Sequence, residues 1–206
     1  RDPPHCAPKT RDGIIREIKK WANSREGSAM IFWLFGSAGA GKLAICQTIA
    51  EIFKRGGLLL GNFFFSRSAA STRRSNGNHL LPTLIHQLQE AIPETRPYIK
   101  EAIRRDEKIF DKTRAAQILE LYVKPLKNLH VRNFFLRHNV GKKVCLIVID
   151  GLDECQDPDV QCDLLSIIAD SIKDLPIPVR FLIASRPEVR IKDTFCHNPS
   201  FQTINL

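Results

Sequence analysis

Short apolar runs alternate along this chain with longer stretches in which apolar residues recur every three or four positions. The two patterns predict strands and helices in alternation. Met30 to Phe35, Leu58 to Phe65, Val144 to Ile149, Val179 to Ala184 and Phe201 to Leu206 read as strands. Val144-Cys145-Leu146-Ile147-Val148-Ile149 has no polar interruption, the pattern of a central parallel strand covered on both faces. A helix is predicted from the capping residue Thr10 to about Asn23, with Ile14, Ile15, Ile18 and Trp21 on one face. A second begins at about Lys42, carries Ile45, Ile49, Ile52 and Phe53, and stops at Gly56-Gly57. Helical spacing recurs at about 79–91, 95–105, 113–138, 158–174 and 187–195, with Pro93 and Pro97 between two of these helices and Pro125 interrupting another. Residues 1–9, with Pro3, Pro4 and Pro8, are predicted to be extended, and Ser66 to Asn78 to form a polar loop. The whole implies an α/β layered fold with a mostly parallel sheet, without internal repeats.

Composition narrows this picture only in part. At 206 residues and 43% hydrophobic, the chain suffices for one domain with a full core. It has no signal-peptide pattern and no apolar run long enough to cross a bilayer, so no membrane association is expected. The six cysteines form no C-x-x-C pair and have no His at zinc-finger spacing. Cys46 and Cys145 fall on predicted core faces, and reduced thiols of a cytoplasmic protein are the expectation. The chain starts at Arg1 rather than Met and reads as a piece of a longer polypeptide. A net charge of +9 favours polyanionic partners, of which a nucleotide is one and nucleic acid another. The basic residues are scattered, with short clusters at Arg73-Arg74, Arg104-Arg105 and Lys142-Lys143 and no RNA-binding aromatic signature. That pattern fits solvated surface, and it places nucleic acid behind nucleotide.

The chemistry concentrates after the first strand. Gly36-Ser37-Ala38-Gly39-Ala40-Gly41-Lys42 fits the phosphate-loop pattern G-x-x-x-x-G-K, between a predicted strand and a predicted helix. Such a loop turns backbone N–H groups toward phosphate oxygens, and the helix N-terminus adds partial positive charge. Lys42 would reach the β- and γ-phosphates. The next position normally holds a Ser or Thr that ligates Mg²⁺, and here it is Leu43, which cannot. Asp150-Gly151-Leu152-Asp153-Glu154 directly follows the most apolar strand, where ligands bind in open α/β sheets. Asp150 is placed to hold Mg²⁺ as the Walker B acid does, and Asp153 or Glu154 to orient an attacking water. Phe181 to Pro187 is another strand ending in Ser185-Arg186, which would put a guanidinium on the same sheet edge, facing the γ-phosphate.

Together these pieces resemble the nucleotide-binding domain of NACHT-type NTPases in the STAND class, in particular the fungal-type proteins whose domain opens with Cys-x-Pro-x-Thr-Arg. Cys6-Ala7-Pro8-Lys9-Thr10-Arg11 matches that opening. Gly36 to Lys42, Phe63-Phe64-Phe65-Ser66-Arg67, Asp150 to Cys155 and Ser185-Arg186-Pro187 complete the likeness. The resemblance implies a three-layer P-loop NTPase fold with strand order 5-1-4-3-2, the Ser-Arg-Pro strand lying between the two Walker strands. It implies residues 1–29 as an extended segment and helix leading into the site, and residues 30–206 as the core, ending before the family's helical and winged-helix parts. It also implies ATP or GTP as ligand, a switch that gates self-association, and effector and repeat regions elsewhere in the polypeptide. Pro8 to Arg11 become candidates for contact with the base, and Arg67 a candidate to face the site.

The residues leave several functions open. A nucleotide-binding switch that retains ATP or ADP but hydrolyses it slowly, with weakened Mg²⁺ binding, follows from an intact loop with Leu43 in it. An active P-loop NTPase, a scaffold kept for protein contacts alone, and a nucleic-acid binder resting on charge are the others. The Asn/Thr-Lys-x-Asp motif that reads guanine is missing, which favours adenine.

Overall fold

In the computed structural model the described residues are 11–24, 29–67, 72–129, 144–196 and 201–206. Five parallel strands form one sheet: β1 (Ile31–Phe35), β2 (Leu59–Phe64), β3 (Cys145–Asp150), β4 (Val179–Ser185) and β5 (Phe201–Asn205). Their order is β2-β3-β4-β1-β5, which counted from the β5 edge reads 5-1-4-3-2. β4 thus lies between β1 and β3. Every residue of β3 and β4 is buried, as expected of strands covered on both faces: Val144 to Ile149 is apolar throughout, and in β4 only Arg180 and Ser185 are polar.

Helices cover the two faces, as an α/β sandwich requires. On one side lie α1 (Asp12–Asn23) and α2 (Lys42–Arg55), where Trp21 packs on Phe32 and Ile45, Cys46, Ile49, Ala50 and Phe53 are buried. On the other side, α4 (Leu80–Ala91) and α8 (Pro158–Ile172) press Leu84, Ile85 and Ile168 toward Ile147 and Phe181. The final helix, α9 (Val189–Cys196), stacks Phe195 on Trp33 at 4.5 Å and 6°. Asp157 caps α8 by accepting from the N–H groups of Asp159 and Val160, with Pro158 in the first turn. α5 (Arg96–Arg105) completes the α4 side, and its Arg104 and Arg105 both pair with Glu101 at the surface.

Two expectations change. The stretch from Ser66 to Asn78 is not all loop: it contains a short α3 (Thr72–Ser75) and enters a 3₁₀ turn at Gly77–His79. Pro125 does not break its helix. α6 (Arg114–Ile118) passes into a π-helical turn (Leu119–Val123) and then α7 (Lys124–Asn128), with Pro125 in the first turn of α7. A widened turn ahead of a proline accommodates the missing N–H and the ring. The predicted extended segment 1–9, the cap Thr10, residues 130–138 and Lys142-Lys143 lie outside the described residues.

Arg180 fastens α1 to the sheet. This residue, 4% exposed at the start of β4, donates to the carbonyl oxygens of Trp21 and Ser24, and its guanidinium lies 5.3 Å from the Trp21 ring centre. The carbonyls at a helix C-terminus have no partner within the helix, so a buried cation there satisfies them and is itself satisfied.

β2 and α4 approach closely at Gly61, where a Cβ would stand 2.7 Å from Leu84 Cδ2 and 3.0 Å from Gln87 Oε1. Gln87 Oε1 also accepts the Asn62 N–H at 2.7 Å. Gly61→Ala is therefore expected to destabilise the domain by about 1–3 kcal/mol through overpacking, read as a lower midpoint in urea denaturation with an unchanged slope.

Candidate nucleotide site

The carboxyl ends of β1, β4 and β3 stand side by side, and the register sets their heights. Phe35 pairs with Ser185, and Ile149 with Ile183. The loop after β1, the arginine after β4 and the aspartate that ends β3 are therefore brought to one rim. Between them lies a cleft of about 360 Å³ walled by Ala38, Gly39, Ala40, Gly41, Lys42, Leu43, Ala44, Asp150, Gly151, Asp153, Glu154 and Arg186. Of the glycine loop through Leu43, Asp150, Asp153, Glu154 and Arg186, only Gly36 and Ser37 are not in the wall.

The loop takes its shape from glycine. Gly39 and Gly41 adopt φ of 77° and 91°, a region that side chains disfavour, and Gly41 immediately precedes α2. Lys42 Nζ donates to the carbonyl oxygens of Gly36 at 2.7 Å and Ser37 at 2.8 Å. Arg11, the residue before α1, donates from Nη2 to Ala40 O at 2.8 Å. Arg11 thus reaches the outside of the loop, whereas Pro8 to Thr10, the other candidates for base contact, lie outside the described residues. Leu43 is 43% exposed, an apolar side chain in the cleft wall beside Lys42.

Asp150 is 6% exposed, and burial pushes its carboxyl up to about 6. The Lys42 ammonium pulls the other way, Asp153 adds to the rise, and hydrogen bonds from the Cys46 thiol and the Gly151 N–H draw it down. Sequence reasoning placed Cys46 only in the core. Its position one helical turn after Lys42 was the available signal that it faces the same strand end.

Asp153 and Arg186 form one unit. The Arg186 N–H donates to Asp153 Oδ1 at 2.9 Å, and Arg186 Nε lies 3.3 Å from Asp153 Oδ2. Asp153 is buried while the Arg186 side chain is half exposed, so a buried acid anchors a cation that faces the cleft. Ser185, fully buried, receives the Trp33 Nε1–H at 2.8 Å and donates to Arg186 O at 2.9 Å, tying the arginine to β1. Trp33 was legible only as a core residue. Glu154 accepts the Arg67 N–H at 2.9 Å, and Arg67 Nη2 donates to the carbonyls of Asp153 at 2.5 Å and Cys155 at 3.4 Å. Arg67 therefore braces the acidic turn from behind instead of lining the cleft.

A family model described as Nephrocystin 3, N-terminal matches residues 11–186. The chain belongs to this family. The Nephrocystin 3 N-terminal match spans all three strand ends that build the cleft. Among solved structures, the fold is similar to that of the Aeropyrum pernix ORC2 protein in ADPNP–ADP complexes, at 15% identity and a TM-score of 0.57, over 99% of this chain and 48% of that one. It is also similar to the Aeropyrum pernix ORC1 protein in complex with DNA, at 16% identity and a TM-score of 0.53, over 97% of this chain and 46% of that one. The chain thus spans about half the length of these structures. At such identity the likeness concerns the fold alone. A comparison with curated protein sequences found no match. Among the described residues, no helix is long and apolar enough to cross a membrane.

The raised carboxyl of Asp150 has a thermodynamic consequence. A folded-state value near 6 against an ordinary 3.8 means that the native state binds this proton more tightly. Its contribution is present below pH 4 and lost as pH rises toward 6, leaving an ionisation cost of up to about 3 kcal/mol at neutral pH. Asp150→Asn is accordingly expected to raise stability at pH 7.5 by about 1–3 kcal/mol and to change it little at pH 4. Denaturant midpoints at the two pH values measure this; an equal change at both would contradict the assignment.

Proposed function

We propose that this domain binds ATP or ADP in the cleft at the β1, β3 and β4 ends and serves as a nucleotide-dependent switch of the NACHT type, within the STAND class. The observation that carries this reading is the single cleft wall shared by the glycine loop, Lys42, Asp150 and Arg186. Loop N–H groups and the start of α2 suit phosphate oxygens, Lys42 supplies an ammonium at the cleft wall, and Arg186 offers a fork of donors toward a terminal phosphate. The ADPNP–ADP complexes of the ORC2 neighbour are consistent with this ligand class. Missing guanine-reading residues favour adenine over GTP. By the family resemblance, nucleotide state would gate self-association or contacts with other proteins through regions flanking this domain, in the cytoplasm.

The residues do not fit a tightly held Mg²⁺. The position that would give an inner-sphere hydroxyl is Leu43, and its side chain stands exposed at the cleft. Both carboxylate oxygens of Asp153 engage Arg186, and Asp150 is buried and accepts from the Cys46 thiol and the Gly151 N–H. Among the described residues, no group of three or more His, Cys, Asp or Glu side chains could hold a metal. Mg²⁺ at a nucleotide site draws its octahedral shell from phosphate oxygens, waters and one or two protein oxygens, and Leu43 removes one of those protein oxygens. Phosphoryl transfer depends on positioning and charge, so slow or absent hydrolysis accompanies retained binding. This sets the reading apart from an active NTPase, in which Asp153 or Glu154 would orient water. The open, cation-lined cleft sets it apart from a scaffold without ligand.

Calorimetric titration with ATP and ADP is expected to give micromolar dissociation constants, about −6 to −8 kcal/mol, nearly the same with and without Mg²⁺. Leu43→Ser should restore dependence on the ion. Absence of binding heat in both conditions would remove the proposal. In the same assay Lys42→Ala is expected to abolish binding and Glu154→Gln to leave it intact, because Glu154 bonds the Arg67 backbone. Normal ATP affinity in Lys42→Ala would show that the ligand sits elsewhere.

A further inference from the structure

Each N–H that a glycine loop offers to phosphate belongs to a planar trans peptide whose carbonyl points the opposite way. Turning N–H groups into a cleft turns carbonyls out of it, and each such carbonyl needs a donor to stay there. Lys42 holds the carbonyls of Gly36 and Ser37, fixing the planes that carry the Ser37 and Ala38 N–H groups. The Gly41 carbonyl accepts from the Ile45 N–H of α2. The Ala40 carbonyl, whose plane carries the Gly41 N–H, is held by Arg11, from outside the loop and 29 positions upstream.

Arg11 is built for that reach. It is the one non-glycine residue with positive φ, 61°, among the described residues, and it stands at the N-cap of α1 without making a side-chain cap bond. Its guanidinium nitrogens lie 3.9 Å from where a Gly41 Cβ would be. α1 is pinned at its other end by Arg180, so Arg11 projects from a fixed base. Arg11 is also absent from the cleft wall, so its bond to Ala40 does not compete with a ligand. Lys42 differs: on turning to a phosphate it must release Gly36 and Ser37, leaving the Arg11 bond in place.

We propose that Arg11 is a positioning residue of the phosphate loop, which aims the Gly41 N–H at a nucleotide phosphate by holding the Ala40 carbonyl. The inference rests on the nucleotide reading above and deepens it. ADP titration of the wild type, Arg11→Gly and Arg11→Lys tests it, together with the Gly41 amide resonance in the nucleotide-free proteins. Glycine suits the positive φ, so Arg11→Gly removes the guanidinium while sparing the backbone. That variant is expected to bind ADP about tenfold more weakly, the loss of one charge-assisted hydrogen bond that orders a donor. Arg11→Lys, which keeps a donor, should recover part of the loss. The Gly41 amide should shift in Arg11→Gly while the thermal midpoint of the nucleotide-free protein stays that of wild type, a combination that a merely structural role would not give. Arg11→Gly binding ADP as tightly as wild type, or an unmoved Gly41 resonance, would overturn the proposal. If wild type itself gives no heat with ADP, the nucleotide reading fails, and the Gly41 resonance alone then decides the role of Arg11.

Discussion

Everything at the site depends on the parallel ladder that inserts β4 between β1 and β3. Because the pairing is in register from Ile31–Phe181 to Phe35–Ser185, and from Cys145–Val179 to Ile149–Ile183, three chain segments distant in sequence end within about one residue of the same height. A one-residue slip in any of these strands would turn its apolar side chains to the opposite face. The ladder is therefore held by the same burial that aligns the loop, Asp150 and Arg186. Site geometry and core packing are one constraint here.

The rim so formed is electrostatically unusual. A carboxyl nearly sealed from water, a lysine turned onto its own loop's carbonyls and an arginine held by a buried acid all satisfy one another within the protein. A polyphosphate would have to compete with those internal partners. Its advantage is charge: a phosphate oxygen outweighs a neutral carbonyl as an acceptor for Lys42. Arg186 presents a closer contest, because Asp153 is itself ionic. Leu43 leaves no protein oxygen at a position where a divalent ion would shift that balance.

The chain's own pattern makes most of the fold legible and a defined part of the site. β3 is read directly, since six apolar residues in a row have few other meanings, and β4 from the run Phe181 to Ala184; Asp150 and Arg186 follow as polar residues at their ends. The π-helical turn before Pro125 was not legible: a proline in a helical pattern signals a break, and only tertiary burial of Leu121, Tyr122 and Leu126 shows why the helix goes on. α3 was hidden because four polar residues show no apolar period. At the site, residue positions were readable and pairings were not. That Asp153 would hold Arg186, or that Arg67 would grip the backbone of the acidic turn, depends on how loops approach one another in space.

α1 is anchored at both extremities, by Arg11 to the phosphate loop and by Arg180 to the start of β4. Its 12 residues span about 18 Å, close to the length of the strands it lies across. It acts as a tie-rod from the top of the sheet to the bottom, and its ends cannot move independently. Fraying of this helix and slackening of the turn above it belong to one cooperative unit, so the helix and the phosphate loop share one local stability.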